Sequence, residues 1–268
     1  MKIKCGHELV FELAAPTPLL LMLYVHPVRT GNLTAPEKLV IEPGLPVRDY
    51  FDGFGNRCAR ISAPAGRLRV ASDNVIDDHG CLDLVNTSAQ QHNVEDLPPE
   101  VIQFLLGSRY CEVDRFSDIA FGLFGQTPPG WPRVQAICDW VHTNVLFGHQ
   151  FARPTKTAWE VYSEHTGVCR DFTHLAITFC RAMNIPARYA TGYLGDIGIP
   201  PMPAAMDFSA WFEVYLNQQW YTFDARFNTP RIGRILMARG RDAVDVALTT
   251  SFGHAELKCF NVWCHEVA

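Results

Sequence analysis

One cysteine stands where its chemistry would be that of a nucleophile. Cys169 follows Gly167 and begins a segment in which apolar residues recur at helical spacing. This pattern predicts a buried helix that begins at Cys169. At the first turn of a helix, the helix dipole and the free backbone N–H groups favour a thiolate over a thiol. The sequence therefore predicts that Cys169 has a lowered pKa and is the most reactive of the nine cysteines.

The residues that could assist this nucleophile lie downstream, on a predicted β-hairpin. Residues 211–216 alternate in the manner of a strand, and residues 220–223 are aromatic or β-branched. A two-residue loop between these strands sets a register that places Ser209 and Asp224 diagonally on one face, roughly 7–8 Å apart at Cα. A long side chain at position 209 could reach Asp224, whereas a serine reaches much less far.

The cysteine segment and the hairpin together resemble the transglutaminase-like superfamily, a group of papain-like thiol enzymes. The family pattern places a cysteine at a helix start, a histidine directly before an Ala-Trp pair, and an acid near the end of the next strand. Cys169, Ala210-Trp211 and Asp224 match this pattern, and Ser209 occupies the histidine position. The resemblance implies acyl transfer, in which Cys169 attacks an amide carbonyl to form a thioester. The predicted catalytic residues are Cys169, Ser209 and Asp224.

The serine at position 209 leaves three functions open. An imidazole keeps the sulfur ionised and protonates the leaving amine, and serine does neither near pH 7. The resemblance favours a cysteine hydrolase or acyltransferase acting on peptide or isopeptide amide bonds, with a histidine recruited from elsewhere. His165 is the first candidate for that ring, His254 the second and His174 the last. The alternatives are a catalytically degenerate protein that binds a peptide or partner protein, and a redox or acyl-carrier role for a bare thiol.

Several charged residues near these positions have structural interpretations. Asp171, on the first turn of the predicted helix, is expected to interact with its N-terminus. The segment 226–241 contains five arginines. We interpret it as a solvated loop and strand edge, and the alternative is contact with an anionic substrate such as a peptide carboxylate, which guanidinium groups bind in a bidentate manner.

The elements that must position these residues are of two kinds. Residues 1–95 form short strand-like runs between Pro and Gly turns, which predicts a β-sandwich of the type that precedes many bacterial transglutaminase-like cores. Residues 96–268 contain helical patterns followed by strands, which predicts an α+β, papain-like core with helices packed on an antiparallel sheet. We expect helices at about 113–124, 131–147, 156–164 and 169–184, and strands at about 187–194, 209–216, 219–225, 243–250 and 256–265.

Composition fits a folded protein and excludes several partners. Hydrophobic residues make up 48% and charged residues 19% of 268 residues, as in globular water-soluble proteins. The formal net charge of −5 and the absence of a basic stripe argue against nucleic acid as a partner. The longest apolar run, 19–25, is too short for a bilayer, and the charged N-terminus differs from a signal peptide, so we expect a cytoplasmic protein. The scattered cysteines indicate reduced thiols, and no metal or cofactor is expected.

Overall fold

A computed structural model describes residues 1–202 and 205–267. These residues form three four-stranded antiparallel sheets, five α-helices and one short parallel strand pair. The strands are β1 (Lys2–Leu13), β2 (Thr17–Leu21), β3 (Val40–Glu42), β4 (Arg48–Phe51), β5 (Arg57–Ala63), β6 (Gly66–Asp77), β7 (Leu146–Phe147), β8 (Thr166–Gly167), β9 (Ala187–Tyr193), β10 (Ser209–Leu216), β11 (Gln219–Phe223), β12 (Ile235–Gly240), β13 (Thr249–Ser251) and β14 (Ala255–Val267). The helices are α1 (Pro99–Ile102), α2 (Ser117–Phe124), α3 (Trp131–Asn144), α4 (Ala158–Glu164) and α5 (Cys169–Ala182).

Two of the sheets form the predicted N-terminal β-sandwich. Their strand orders are β14-β1-β6-β3 and β13-β2-β5-β4. Apolar side chains from both sheets share one core, including Leu9, Leu21, Ile61 and Val70. Each sheet must bury one apolar face, and stacking the two faces satisfies both. The α+β fold class with an N-terminal β-sandwich is confirmed.

The last two strands belong to the sandwich and not to the core sheet. β14 pairs antiparallel with β1 from Lys2 opposite Val267 to Leu13 opposite Ala255, and β13 pairs with β2. Placing the predicted strands 243–250 and 256–265 in the core sheet is therefore wrong, and of 243–250 only residues 249 and 250 lie in a strand. An alternating pattern identifies a strand with one buried face, but it does not identify the partner strand. The segment 96–268 thus ends in strands of the N-terminal sandwich.

The third sheet has the order β11-β10-β9-β12 and carries α5 on one face. Leu175 and Phe179 of α5 share a core with Phe212 and Val214 of β10. The helix start at Cys169 and the hairpin strands agree with the sequence-based prediction. The edge strand β12 is not among the predicted strands, because the arginines of the 226–241 segment suggested a solvated segment, but most residues of β12 are buried. None of the helices in the described part of the chain has the length and hydropathy to cross a bilayer.

Candidate active site

The start of α5 is built to hold Cys169 in a fixed position. Asp171 Oδ2 accepts a hydrogen bond from the backbone N–H of Val168 at 3.0 Å, which satisfies one donor that the helix leaves free. Its Oδ1 accepts from Nε and Nη2 of Arg170 at 3.1 and 3.0 Å. A Cβ at Gly167 would lie 2.7 Å from the Cβ of Asp171, so this turn needs a glycine. Asp171 therefore interacts with the helix N-terminus, as predicted.

The hairpin adopts the predicted register. Phe212 pairs with Phe223. Because side chains alternate between the two faces of a strand, Ser209 and Asp224 lie together on the face of the hairpin opposite to Phe212 and Phe223. The two loop residues at 217–218 both have positive φ angles, 46° and 65°. A two-residue hairpin loop favours this conformation, which here forms without glycine. The prediction that Ser209 and Asp224 share a face is confirmed.

Cys169 and Ser209 line one cleft of about 640 Å³. The cleft walls combine the start of α5, the first residues of β10 and the segments around them. The backbone N–H of Ala210 faces the sulfur and favours its anionic form. The fold thus brings together the predicted nucleophile and the position at which the family pattern has histidine. Other lining residues include Phe147, His149, Tyr189, Asp207, Arg226 and Phe227.

Asp224 lies on the wall of a second cavity, of about 550 Å³, and its carboxylate is already engaged. Oδ1 accepts hydrogen bonds from the backbone N–H groups of Arg226 and Phe227 at 3.0 and 3.1 Å. Oδ2 accepts from Nη2 of Arg234 at 3.0 Å. Arg234 also pairs with Asp83 at 2.9 Å, and the Arg234 and Asp224 side chains are 7% and 3% exposed. Asp224 therefore binds a buried arginine in place of an imidazole.

The three histidines considered from the sequence do not line the Cys169 cleft. His165 ends α4 in a left-handed conformation, and its Nδ1 lies 2.9 Å from the backbone oxygen of Asn144. His254 is exposed between β13 and β14. His174 is buried, and its Nε2 accepts a hydrogen bond from the backbone N–H of Ala243 at 3.1 Å. His165, the first candidate for a recruited ring, is therefore not the base, since its local turn orients it toward Asn144.

His149 is the imidazole that shares the cleft with Cys169. It begins the 3-10 turn His149–Phe151 and packs edge-on against Phe147, with ring centroids 5.3 Å apart. Burial raises the pKa of the nearby Asp207, and the charges of His149 and Arg226 oppose that rise. Sequence reasoning missed His149 because a histidine in an irregular connection belongs to no periodic pattern.

Burial controls the ionisation of the Cys169 thiol. Burial raises its pKa to about 11, against a smaller lowering by the Arg226 guanidinium, while the Asp207 carboxylate raises it further. The expectation of a lowered pKa is therefore wrong. A helix N-terminus supplies at most ~2 kcal/mol toward the anion, which is roughly 1.5 pKa units. Loss of solvent around the sulfur outweighs that contribution, so the neutral thiol predominates at pH 7.

We expect the exposed Cys81 to react with iodoacetamide ahead of Cys169 at pH 7. Below its pKa, the thiolate fraction of Cys169 rises about tenfold for each pH unit, and its alkylation rate should rise in step. Limited alkylation at pH 7, 8 and 9 followed by peptide mapping measures both sites. Preferential labelling of Cys169 at pH 7 would contradict the raised pKa and would support the sequence-based prediction that it is the most reactive thiol.

Comparison with known proteins agrees with this geometry. The sequence model of the transglutaminase-like superfamily matches residues 118–225, which include Cys169, Ser209 and Asp224. The crystal structure of a candidate cysteine protease from Cytophaga hutchinsonii is 30% identical, covers 99% of this chain and 90% of its own, and has a TM-score of 0.85. An uncharacterized protein of Mycobacterium tuberculosis is 25% identical over 230 residues, which cover 78% of this chain and 73% of that protein. An uncharacterized protein of Mycobacterium leprae is 25% identical over 212 residues, which cover 74% of this chain and 73% of that protein. The shared sequence pattern and the shared fold show that the chain belongs to the transglutaminase-like superfamily.

Proposed function

We propose that this protein binds a peptide segment in the Cys169 cleft and does not turn it over through a cysteine–histidine–acid relay. The observation that carries the proposal is the buried ion pair between Asp224 and Arg234, at 3.0 Å. In a relay, the acid would orient an imidazole and stabilise its charged form. Here the carboxylate that the family pattern assigns to this role is held in an ion pair with the Arg234 guanidinium, which it shares with Asp83.

Two further features support the same conclusion. Ser209 has no group that accepts a proton near pH 7, and the raised pKa of Cys169 keeps most of the sulfur protonated. Loss of one member of a comparable relay lowers the rate by roughly 10³- to 10⁶-fold. Base, acid and nucleophile are each altered here, so turnover by the family route requires more than one replacement.

The cleft itself keeps the properties of a binding site. Its volume of about 640 Å³ lies within the range of ligand pockets. Aromatic side chains such as Phe147, Tyr189 and Phe227 supply apolar contact area. Arg226, Ser209 and the free N–H groups at the start of α5 supply polar contacts that would orient a peptide.

A second candidate function is thiol hydrolysis or acyl transfer at amide bonds that uses His149 as the base. The favouring observation is that His149 and Cys169 line the same cleft, with Asp207 beside them. In this mechanism, the ring accepts the thiol proton, the sulfur attacks the carbonyl, and the ring then protonates the leaving amine. Family membership is consistent with this chemistry.

Hydrolysis assays separate the two functions. We expect wild-type protein and Cys169→Ala to cleave an activated thioester and a panel of peptide amides at the same rate, within about twofold, at pH 8. A Cys169-dependent rate that falls by ~10² or more in His149→Ala would instead establish the hydrolase, since a positioned base contributes at least this factor. His254→Ala is the matched control, because His254 is exposed between β13 and β14 and does not line the cleft.

A further inference from the structure

We propose that Arg226 is the carboxylate-recognition residue of the Cys169 cleft, and that the ligand bound there presents a free carboxylate, as the C-terminus of a peptide does. The inference rests on the proposed function, because it names the ligand class of the same cleft. The ligand would present one carboxylate to Arg226, and the rest of the ligand would lie along the aromatic walls of the cleft.

Two aromatic rings hold the Arg226 guanidinium in place. Its central carbon lies 3.7 Å from the ring centroid of Phe147 and 4.6 Å from that of Phe227. Stacking against ring faces uses the flat side of the group and leaves its edge of N–H donors available. Within residues 1–202 and 205–267, Arg226 makes hydrogen bonds through its backbone and none through its guanidinium. A positioned, half-buried cation on the cleft wall thus keeps its N–H donors available, and Asp207 interacts with it through charge without a hydrogen bond.

The other arginines of the 226–241 segment have protein partners. Arg234 pairs with Asp83 and Asp224. Arg239 pairs with Glu213, and Arg241 pairs with Asp245. Arg231 has no carboxylate within 4 Å in the described residues, but its Nη2 donates a hydrogen bond to the backbone oxygen of Gly195 at 2.9 Å. The interpretation of this segment as solvated is therefore wrong for its buried members, whose charges hold the fold together. Among these arginines of the described residues, Arg226 is the one whose guanidinium makes no hydrogen bond. It is therefore the arginine that fits the alternative interpretation, contact with an anionic ligand.

Arg226 lies close enough to the sulfur to act on the same ligand. Arg226 and Cys169 line the same cleft, and the guanidinium charge lowers the pKa of the thiol. Arg170, which also lines the cleft, is committed to Asp171 at 3.0 Å. A carboxylate at Arg226 would gain charge-assisted, bidentate hydrogen bonds that bind stronger and with more defined geometry than neutral ones.

The remaining charges of the cleft limit the ligand to one negative group there. Asp196 and Asp207 both line the cleft, from the segment between β9 and β10. Either carboxylate would repel an anionic ligand, and it would repel a doubly charged phosphate or dicarboxylate more strongly than a single carboxylate. The cleft therefore favours a peptide end over a phosphate or a dicarboxylate.

Alkylation with two isosteric reagents tests the inference directly. Iodoacetate and iodoacetamide both form a sulfur–carbon bond with release of iodide, but only iodoacetate carries a carboxylate. We compare the iodoacetate-to-iodoacetamide rate ratio at Cys169 with the ratio at the exposed Cys81 in the same sample at pH 9. The thiolate fraction of each cysteine cancels in its own ratio, so the raised pKa of Cys169 does not affect the comparison.

In wild-type protein we expect the ratio at Cys169 to exceed that at Cys81 by about tenfold or more, as for a charge-assisted hydrogen bond. Arg226→Gln should bring the two ratios together, and Arg226→Lys should give an intermediate value, because lysine keeps the charge without the bidentate fork. Arg115→Gln is the matched control, since Arg115 stacks on Trp159 and neither residue lines the cleft. Thermal melting verifies that each variant is folded.

Equal ratios at Cys169 and Cys81 in wild-type protein would overturn the inference, as would an unchanged ratio at Cys169 in Arg226→Gln. The result is independent of turnover. A Cys169-dependent hydrolysis rate would remove the proposed function while leaving a carboxylate preference in force, and equal ratios without hydrolysis would remove only the role of Arg226.

Discussion

Replacing Ser209 by histidine should raise Cys169-dependent hydrolysis of activated acyl substrates by at least ~10²-fold, the low end of what a positioned general base contributes. Position 209 begins β10, lines the cleft together with Cys169 and shares a face with Asp224. An imidazole there would accept the thiol proton and stabilise the thiolate as an ion pair, which offsets part of the burial that raises the thiol pKa. We expect the low end because Asp224 already binds Arg234.

Two controls define the origin of any gain. Ser209→Asn adds a planar polar side chain without a base and should leave the rate unchanged. Ser209→His combined with Cys169→Ala should return the rate to background, since the nucleophile is then missing. A folded Ser209→His protein that shows no gain on thioester, ester or amide substrates would contradict the prediction and would indicate a site that has lost more than its base.

Replacing Arg234 by methionine should lower the free energy of unfolding by about 3–5 kcal/mol, the usual effect of removing one partner from a buried ion pair. Asp224 and Asp83 would both remain beneath the surface without their cation. The guanidinium also lies 5.1 Å from the Trp211 ring centroid, so its stacking contribution would be lost too. Urea denaturation followed by circular dichroism measures the change.

Arg241→Met is the matched control for this experiment. Arg241 pairs with Asp245 at 2.8 Å, but its side chain is 41% exposed, and solvent-exposed ion pairs contribute about 0–1 kcal/mol. We therefore expect a loss of less than ~1 kcal/mol from the same substitution at that position. Equal losses in the two variants would show that the Asp224–Arg234 pair contributes no more than a surface pair.

Local patterns in the sequence identified most of the elements that build the site. The apolar spacing after Cys169 predicted α5, because side chains that share a helix face are close neighbours in the chain. The alternation in 211–216 and a two-residue loop predicted the hairpin register, since the turn fixes the pairing of the strands that it joins. The pattern of Cys169, Ala210-Trp211 and Asp224 identified the family.

Contacts between distant parts of the chain decided the rest. The partner of β14 is β1, at the opposite end of the sequence, and no local pattern specifies a partner strand. Arg234 reaches Asp83 across 151 positions, so the burial of the arginines followed from tertiary packing. The pKa of Cys169 depends on the solvent excluded by the surrounding walls and on Arg226 and Asp207, which lie far from it in sequence. Periodicity and turn chemistry are properties of neighbouring residues, whereas desolvation and charge pairing are properties of the folded whole, and only the tertiary structure determined them.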